Sequence, residues 1–401
     1  MNNKERLILF LLAALNFTHI LDFMILMPLG NYLMPYFKIS PQQFSVLVSC
    51  YTISAAVSGF AAAFFVDNFD RKKILITAYI GFLIGTLACG LAPSFSLLMI
   101  ARIVTGLFGG LIGAQVLSIV ADVFPYERRG RAMGAIMSAF AIASTFGVPF
   151  ALYLANLISW HAPFLLVGGL GFVLVPFLMR LIPPMIGHLE NPKKEDKIAV
   201  LTNILKDKSQ YAALVFSGLI MFGHFLIIPF INPYMEFNMG YSKFHTPLVY
   251  LVGGIASFFS ANILGRFADK YGKLTIFTIC VLGAVPFVLI LTNMPVVPFF
   301  LILMFFGIWF SMSTGRGVTA QAMVSQVVQT EHRGSFQSFN SSMQQLGSGL
   351  ASLVAGFIVV KGEKGEILHY DWVGFLSIAV LLTSLFIGRR IFKKVDTKTQ
   401  S

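Results

Sequence analysis

Long apolar stretches, separated by short polar ones, run through the whole chain. About 20 predominantly apolar residues are needed for an α-helix to cross a bilayer. Twelve predicted spans meet or approach that length, at residues 7–33, 44–66, 74–92, 96–121, 132–157, 162–183, 210–233, 245–267, 274–293, 296–326, 335–360 and 372–391. The pattern therefore predicts an all-α membrane protein with twelve transmembrane helices.

Composition strengthens this prediction. Of the 401 residues, 57% are hydrophobic and 11% are charged, and the mean hydropathy is +0.80, whereas soluble globular chains have about 25% charged residues. Because so few charges cannot cover a water-facing surface, most of the surface must face lipid. The three cysteines lie in apolar runs, and no cluster resembles a metal site or a nucleophilic triad. We therefore expect no enzyme activity, no metal and no cofactor.

The basic residues indicate how the chain is oriented. If both termini are cytoplasmic, 23 of the 29 Lys and Arg residues fall in cytoplasmic segments, four fall outside and two lie within spans. This asymmetry follows the positive-inside rule. It predicts a multi-pass protein of the cytoplasmic (inner) membrane with both termini in the cytoplasm. The net charge of +12 then reflects topology and contact with anionic lipids, and gives no reason to expect a nucleic-acid partner.

One long polar insert, near residues 188–210, interrupts the series of spans at its midpoint. It divides the chain into a six-helix bundle at 1–183, a cytoplasmic linker at 184–209, and a second six-helix bundle with a cytoplasmic tail at 210–401. Within the linker, apolar residues recur at helical spacing beside lysines. This spacing predicts a short amphipathic helix on the inner membrane surface, and a plain tether is the alternative.

The two halves repeat three polar landmarks in register. At offsets of 201 to 204 residues, each landmark of the first half recurs in the second: Pro28 and Asn31 as Pro229 and Asn232, Asp67 as Asp269, and Arg129-Gly130 as Arg333-Gly334. Two unrelated apolar halves would not share such landmarks. Parallel repeats of this kind describe a two-bundle transporter with its substrate site between the bundles.

Two loop sequences carry a resemblance to a known family. GRFADKYGKL, from Gly265 to Leu274, resembles the major facilitator superfamily signature G-x-x-x-D-[RK]-x-G-[RK]-[RK] and lacks only its last basic residue. AFFVDNFDRK, from Ala63 to Lys72, keeps three signature residues and departs at Ala63, Asn68 and Asp70. The chain is therefore identified as a member of this superfamily, which implies twelve helices in two pseudo-symmetric six-helix bundles.

The resemblance assigns an inner gate to residues of these two loops: Asp67, Arg71, Gly265, Asp269, Lys270, Gly272 and Lys273. In this interpretation Gly265 allows the eighth and ninth spans to approach closely. Asp269 and Asp67 would each face the N-terminus of a helix in the other bundle, where the helix dipole favours a carboxylate. The alternative is that these charges serve only to orient the chain in the membrane.

Two further matches concern helix packing. On the fourth span, Arg102 and Gly106 resemble the superfamily pattern R-x-x-x-G. On the fifth, Gly147-Val148-Pro149 is similar to the Gly-Pro pair of the antiporter motif, with a valine inserted. The second match favours the twelve-helix drug:proton antiporters and sugar-efflux relatives. An ordinary kink and close-packing site at Gly147 and Pro149 is the alternative.

Asp22 is the only acidic residue that the predicted spans place well inside the bilayer. It lies about 22 Å along a helix from Leu7, and Arg102 lies roughly 10 Å into a span that enters from the other side. These depths nearly coincide in a core of about 30 Å, and a guanidinium there would allow Asp22 to ionise. The predicted proton-coupling residues are Asp22, Arg102 and His19, one helical turn from Asp22. A permanent structural salt bridge is the alternative.

Other polar groups in the spans are candidates for substrate binding. Arg316 lies near the middle of the tenth span, where a cation would suit a carboxylate, a phosphate or dense hydroxyls. Met and Phe side chains near the polar groups suit bulky amphiphiles. The predicted substrate-binding residues are Arg316, His224, Phe23, Met27, Gln115, Gln321 and Phe225. Packing histidines and interhelical hydrogen bonds between glutamines are the alternatives.

These features together predict a proton-coupled secondary transporter that exports small amphipathic organic compounds by alternating access. Proton-linked uptake of an organic anion, anchored by Arg316, is one alternative, and a non-transporting membrane sensor or scaffold is another. The expected partners are the small-molecule substrate, protons and membrane lipids, and the monomer is expected to be the functional unit.

Overall fold

The computed structural model describes residues 3–186, 197–328 and 333–397, and nearly all of them are helical. The helices are α1 (Asn3–Ile25), α2 (Gly30–Phe37), α3 (Pro41–Phe65), α4 (Arg71–Gly90), α5 (Phe95–Val123), α6 (Tyr126–Ile142), α7 (Val148–Leu157), α8 (His161–Leu181), α9 (Lys197–Lys206), α10 (Lys208–Phe225), α11 (Ile228–Phe237), α12 (Thr246–Tyr271), α13 (Lys273–Asn293), α14 (Phe299–Val324), α15 (Arg333–Ile358) and α16 (Tyr370–Thr397). A small antiparallel hairpin, β1 (Val360–Lys361) and β2 (Ile367–Leu368), lies between α15 and α16.

Eleven helices or helix pairs in the described part of the chain are long and apolar enough to cross a membrane. They correspond to every predicted span except the eleventh, at 335–360. That span is α15, a helix of 26 residues that carries Ser, Gln and Asn along much of its length. The all-α membrane fold is therefore confirmed, and α15 is as long as its neighbours but more polar.

Two of the spans are broken helices. α1 ends at Ile25 before α2 begins at Gly30, and α10 ends at Phe225 before α11 begins at Ile228. Proline has no N–H to donate and its ring clashes with the preceding turn, so Pro28 and Pro229 favour a break at these points. The repeated prolines of the sequence thus mark corresponding breaks in the two halves.

The fifth span contains a five-residue π-helical segment, Ala143–Gly147, between α6 and α7. Pro149 is in the first turn of α7. Proline cannot donate a backbone hydrogen bond, and the change to π-helical hydrogen bonding just before it fits the loss of that donor. A Cβ atom on Gly147 would lie 2.9 Å from Leu21 Cδ1, so glycine allows this segment to approach α1. The geometry is that of a π-helical segment with a close contact, and the antiporter role of the motif stays a prediction.

The helices form two compact units. Unit 1 comprises the described residues up to Leu26 and those from Cys50 to Ala199. Unit 2 comprises the residues from Met27 to Ser49 and the described residues from Val200 onward. Unit 1 therefore contains α1, the C-terminal part of α3, and α4 to α8, whereas unit 2 contains α2, the start of α3, and α10 to α16.

In unit 1, α4 packs along α5 and α8, and α1 packs against α5, α6 and α8. The core includes Leu12, Leu15 and Phe82, all fully buried. A Cβ atom on Gly85 of α4 would lie 2.9 Å from the backbone nitrogen of Thr105 on α5. The glycine therefore allows the backbones of these two helices to approach closely. This packing brings the polar positions of α1 and α5 together.

In unit 2, α12 and α13 pack along α14, and α10 packs along α15 and α16. α10 also contacts α14. A Cβ atom on Gly347 of α15 would lie 3.0 Å from the carbonyl carbon of Gly218 on α10, which shows how closely these backbones approach. The polar positions of α10, α14 and α15 therefore belong to one group of helices.

The linker is described in part. α9 covers the stretch for which an amphipathic helix was predicted, and Ile204 on it is buried. Its location on the inner membrane surface stays a prediction, and residues 187–196 lie outside the described part of the chain.

Candidate functional site

A buried ion pair joins α1 to α5 in unit 1. Arg102 Nη1 donates a hydrogen bond of 2.8 Å to Asp22 Oδ2, and the two side chains are 1% and 0% exposed. An isolated charge at such a place is costly, whereas a paired one is tolerated. The structure therefore brings together the two charged residues that the sequence placed at similar depths.

Arg102 and Asp22 share one hydrogen bond, and the buried hydroxyl of Thr86 on α4 also interacts with Asp22. Arg102 Nε and Asp22 Oδ1 are buried, and neither has a hydrogen-bond partner in the described residues. A bidentate guanidinium–carboxylate contact would be stronger and more rigid. The observed contact leaves both groups with unused hydrogen-bonding capacity.

Tyr51 of α3 completes the surroundings of this pair. The Arg102 guanidinium carbon lies 4.4 Å from the centroid of the Tyr51 ring, which is a cation–π distance. The Tyr51 hydroxyl is 3.2 Å from His19 Nε2, and its ring stacks on Phe23 at 5.6 Å. Asp22, Arg102, His19, Phe23 and Tyr51 thus form one contact cluster, called here the Asp22 cluster.

Glycines of α5 make room for this cluster. A Cβ atom on Gly106 would overlap the Tyr51 carbonyl oxygen, and one on Gly109 would lie 2.9 Å from the Tyr51 hydroxyl and 3.2 Å from His19 Nε2. Small residues allow helix backbones to approach in this way. The R-x-x-x-G pattern is therefore explained by packing. Its glycine allows α3 to approach α5 so closely that the Tyr51 ring lies over the Arg102 guanidinium.

Gln115 and Met27, two further predicted substrate residues, lie apart from the Asp22 cluster in the contacts that the structure gives. Gln115 is buried on α5, and its Oε1 has no hydrogen-bond partner in the described residues. Met27 is buried in the break between α1 and α2 and belongs to unit 2.

Arg316 of α14 is the second buried arginine, and its surroundings differ. It is 2% exposed, and its Nε and Nη1 atoms have no hydrogen-bond partner in the described residues. None of the ion pairs among those residues includes it. A Cβ atom on Gly315 would lie 2.6 Å from Cys280 Sγ of α13, so glycine allows close packing on one side of Arg316.

Aromatic residues lie near Arg316 in unit 2. The His224 ring stacks on Trp309 with centroids 5.2 Å apart and an interplanar angle of 25°. Phe225 meets His224 edge to face at 5.4 Å. His224 also interacts electrostatically with Arg316, and Trp309 lies seven residues before Arg316 on α14, two helical turns along the same face.

The glutamines of α14 and α15 form a short network. Gln321 Nε2 donates to Gln337 Oε1 at 3.1 Å, and Gln344 Nε2 donates to Gln321 Oε1 at 3.4 Å. Gln321 therefore makes the interhelical hydrogen bonds that were given as the alternative to substrate binding. Both functions are compatible, because Gln321 is exposed.

The first-half signature loop is held by contacts inside unit 1. Arg71 Nη1 lies 2.7 and 2.8 Å from the two carboxylate oxygens of Asp122 at the end of α5. Asp70, where the sequence departs from the family pattern, accepts hydrogen bonds of 2.9 Å from the backbone N–H groups of Lys72 and Met185. It is the N-cap of α4. The side chains of Asp67 and Arg129 lie outside the described residues, so the predicted role of Asp67 stays a prediction.

The second-half signature loop corrects one expectation. A Cβ atom on Gly265 would meet no atom of the described residues within 4 Å, so Gly265 does not provide the predicted close approach. Gly272, between α12 and α13, has φ +92°, which side chains rarely adopt. Lys270 Nζ lies 5.1 Å from the Tyr271 ring, and Asp269 is exposed. The gating roles of Asp269, Lys270 and Lys273 stay predictions.

Sequence reasoning missed an acidic residue near the end of the seventh span. The seventh predicted span ended at residue 233, but its helix pair continues to Phe237 and includes Glu236. The Asn31 side-chain amide donates to the Glu236 carboxylate, and Asn232 Nδ2 donates to the Pro28 carbonyl oxygen at 3.1 Å. The repeated Asn residues thus connect the two broken spans within unit 2. Glu236 is the penultimate residue of α11, at the end of its span, so it does not contradict the prediction that Asp22 is the only acidic residue well inside a span.

Comparisons with known proteins agree with this architecture. The family model of the Major Facilitator Superfamily matches residues 12–352. The chain is 24% identical over 375 residues to "Uncharacterized MFS-type transporter YceJ" of Bacillus subtilis (strain 168), with 90% of each chain covered. It is 21% identical over 350 residues to "Probable sugar efflux transporter" of Helicobacter acinonychis (strain Sheeba), with 87% of this chain and 86% of the relative covered.

A solved structure has a similar fold. The crystal structure of a bacterial homolog to the human lysosomal transporter Spinster, inward-facing and unoccupied, has a TM-score of 0.77 and covers 98% of each chain at 16% identity. At that identity the likeness concerns the fold alone. Because the family model matches most of the chain, this protein belongs to the major facilitator superfamily and is a secondary transporter, not an enzyme.

Proposed function

We propose that this protein is a proton-coupled antiporter that exports small amphipathic organic compounds by alternating access. The observation that carries the proposal is the buried pair of Asp22 and Arg102, closed by one hydrogen bond of 2.8 Å. A carboxyl group inside a membrane span that can hold either a proton or a guanidinium is suited to proton coupling. Charged residues in spans are rare and mark ion pathways more often than structural contacts.

The chemistry of the exchange follows from the two contacts of Arg102, one with Asp22 and one with the Tyr51 ring. When a proton binds Asp22, the carboxylate loses its charge and its attraction for the guanidinium falls. Arg102 keeps its contact with the Tyr51 ring, so the cation retains a favourable partner while it is released from Asp22. The protonation state of one residue thus changes the contact between α1 and α5.

His19 and the Tyr51 hydroxyl offer a second place for the proton. They are 3.2 Å apart, and His19 precedes Asp22 by three residues, which places the two on nearly the same face of α1. A hydrogen-bonded hydroxyl and imidazole beside a carboxyl group form a short chain of exchangeable sites. We assign His19 and Tyr51 to the proton site together with Asp22 and Arg102.

Several features support export from the cytoplasm. The distribution of Lys and Arg supports a cytoplasmic membrane location with both termini inside. The partial antiporter motif at Gly147 and Pro149 coincides with the π-helical segment of the fifth span. One relative is named "Probable sugar efflux transporter", a name that agrees with export of small organic compounds. Phe23 and Phe225 are half-buried aromatic side chains, which suit amphipathic compounds.

One observation favours a second candidate function. Arg316 has unpaired N–H groups and no carboxylate partner in the described residues, which would also suit proton-linked uptake of an organic anion. The two candidates differ in the direction of substrate movement relative to the proton.

Transport into liposomes separates these candidates. Purified protein is reconstituted, and accumulation is measured for a neutral, a cationic and an anionic amphiphile: chloramphenicol, ethidium and p-toluenesulfonate. Accumulation that is faster when the lumen is acidic indicates antiport, because protons then leave as substrate enters. Accumulation that is faster when the outside is acidic would overturn the proposal in favour of symport. Protein-free liposomes give the passive rate, and no protein-dependent flux of any of the three compounds would overturn both.

A further inference from the structure

The two buried arginines of this protein are chemically unequal. Arg102 and Arg316 are 1% and 2% exposed, yet only Arg102 has a carboxylate within hydrogen-bond distance in the described residues. Two nitrogen atoms of Arg316, Nε and Nη1, are buried and have no hydrogen-bond partner there. Burying an unpaired guanidinium lowers stability, so stability alone does not account for Arg316.

The helices that contact α14 offer Arg316 no buried acidic residue, since the only Asp or Glu on α12 is Asp269, which is exposed near the end of that helix. The sequences of α10, α13, α14 and α15 contain no Asp or Glu. A buried guanidinium without an anion from its own protein is complementary to an anion brought by a ligand. The same absence of carboxylates gives an organic cation no partner on these helices.

Other unpaired polar atoms lie on the same helices. Ser313 Oγ, one turn before Arg316 on α14, and His224 Nδ1 on α10 are both buried and without a hydrogen-bond partner in the described residues. Asn340 of α15 is fully buried, and neither of its amide atoms has a partner there. α10 packs against both α14 and α15. Unpaired polar atoms thus gather on three mutually contacting helices.

An aromatic surface lies near the cation. The Cα atom of Trp309 is two helical turns from that of Arg316, roughly 10 Å along α14 at 1.5 Å per residue. The buried Trp309 ring stacks on His224 of α10, and His224 interacts electrostatically with Arg316. The rings and the cation therefore lie in one region of unit 2, as recognition of an anionic group joined to an aromatic ring requires. Aromatic faces bind such rings by offset stacking or edge contacts.

We propose that Arg316 is the anchor of a binding site for small aromatic organic anions, with its guanidinium on the anionic oxygens and His224 and Trp309 beside the ring. This inference names the substrate class of the proposed exporter, so its transport consequence rests on the proposed function. The binding site itself does not, because it lies in unit 2 and involves none of the residues of the Asp22 cluster.

Thermal unfolding of the full-length protein in detergent tests the site without transport. The probes are p-toluenesulfonate, its neutral analogue p-toluenesulfonamide, methanesulfonate, which lacks the ring, and inorganic phosphate. We expect p-toluenesulfonate to raise the melting temperature with a saturable dose dependence. The sulfonamide should raise it much less, because it cannot pair with a guanidinium, and methanesulfonate and phosphate should bind at least tenfold more weakly. Equal shifts for the sulfonate and the sulfonamide would contradict the proposed preference for an anionic group. Tight binding of phosphate would contradict the proposed preference for an aromatic ring.

Two variants of Arg316 complete the test. Arg316→Met removes the unpaired charge at similar volume, so the melting temperature of the ligand-free protein should stay equal or rise while the shift with p-toluenesulfonate is lost. Arg316→Lys keeps the charge but loses the fork of donors, so it should retain weakened binding. Thr383→Val, on an exposed position of α16, should behave as wild type in both respects.

The results separate the two proposals. An Arg316→Met protein that is less stable and still binds p-toluenesulfonate would show that Arg316 has a structural role and would overturn the inference. If Arg316→Met does not fold, unchanged affinity in Arg316→Lys has the same meaning. Failure of the antiport proposal would leave these binding results unchanged, since they need no proton gradient.

Discussion

Asp22 Oδ2 accepts a hydrogen bond from Arg102 Nη1 at 2.8 Å, and neither side chain is exposed. The two residues are 80 positions apart in the sequence, and they come from helices that enter the membrane from opposite sides if the predicted topology is correct. The same two side chains therefore hold α1 against α5 and form the proposed proton site.

The energetic coupling of this pair can be measured. Arg102→Met leaves the Asp22 carboxyl buried without its partner and should lower the free energy of unfolding by about 3–5 kcal/mol. In the double variant Asp22→Asn/Arg102→Met, most of that loss should be recovered, because no unpaired charge remains. Thermal unfolding of the wild type, both single variants and the double variant gives the interaction energy. Additive effects of the two substitutions would show that the pair is not coupled.

Tyr51 should matter through its ring more than through its hydroxyl. Tyr51→Leu removes the surface under Arg102, a contact worth about 2 kcal/mol when desolvated, and should reduce gradient-driven transport roughly tenfold or more. Tyr51→Phe keeps the ring and loses the hydroxyl that contacts His19, so its transport should lie between that of wild type and that of Tyr51→Leu. Tyr79→Phe is the matched control, because Tyr79 is a buried tyrosine of unit 1 whose hydroxyl bonds Thr18. Equal transport by Tyr51→Leu and the control would exclude a role for the ring.

Two glycines of α5 give a matched pair for packing. A Cβ atom on Gly106 would overlap the Tyr51 backbone, whereas one on Gly113 would meet nothing within 4 Å. Gly106→Ala should therefore lower the free energy of unfolding by about 1–3 kcal/mol. Gly113→Ala should raise it by about 0.5–1 kcal/mol, since alanine loses less conformational entropy in a helix. Melting temperatures of the two variants with the same sign of change would contradict this account of the R-x-x-x-G pattern.

The pair of Arg71 and Asp122 should affect transport more than stability. Its side chains are 18% and 33% exposed, and exposed ion pairs contribute about 0–1 kcal/mol. Asp122→Asn should therefore change the melting temperature little but slow transport several-fold if the signature loop acts as a gate. Glu5→Gln, which removes the exposed contact between Glu5 and Arg128, is the control. Equal transport rates in the two variants would favour a purely topogenic role for the signature.

The sequence predicted the features that follow from the length and the rise of a helix, namely the positions of the spans and the depths of residues within them. A span needs about 20 apolar residues, so the span positions could be read from the apolar pattern. Because each residue advances a helix by 1.5 Å, the similar depths of Asp22 and Arg102 could also be derived. The R-x-x-x-G pattern gave the place of Gly106, although its partner, Tyr51, was unknown until the helices were packed.

The features that the sequence did not predict depend on how helices rotate and pack. Tyr51 was not recognised because a tyrosine in an apolar span has no signal that identifies its neighbours. Glu236 was missed because polar residues after position 233 suggested the end of a span that in fact continues to Phe237. Gly265 was assigned a close contact from the family pattern, but its surroundings are open. For Tyr51 and Gly265 the deciding quantity is the distance between atoms of different helices, and for Glu236 it is the residue at which the helix ends.

The most direct test of the central claim is substrate flux in liposomes with and without an imposed pH gradient, for wild type and for Asp22→Asn. The substitution keeps the shape of the side chain and permanently removes its negative charge, as a bound proton would. The account predicts that the variant folds and that its flux no longer responds to the gradient, whereas the flux of wild type increases when the lumen is acidic. An Asp22→Asn protein whose flux follows the gradient as wild type does would show that Asp22 and Arg102 form a structural ion pair.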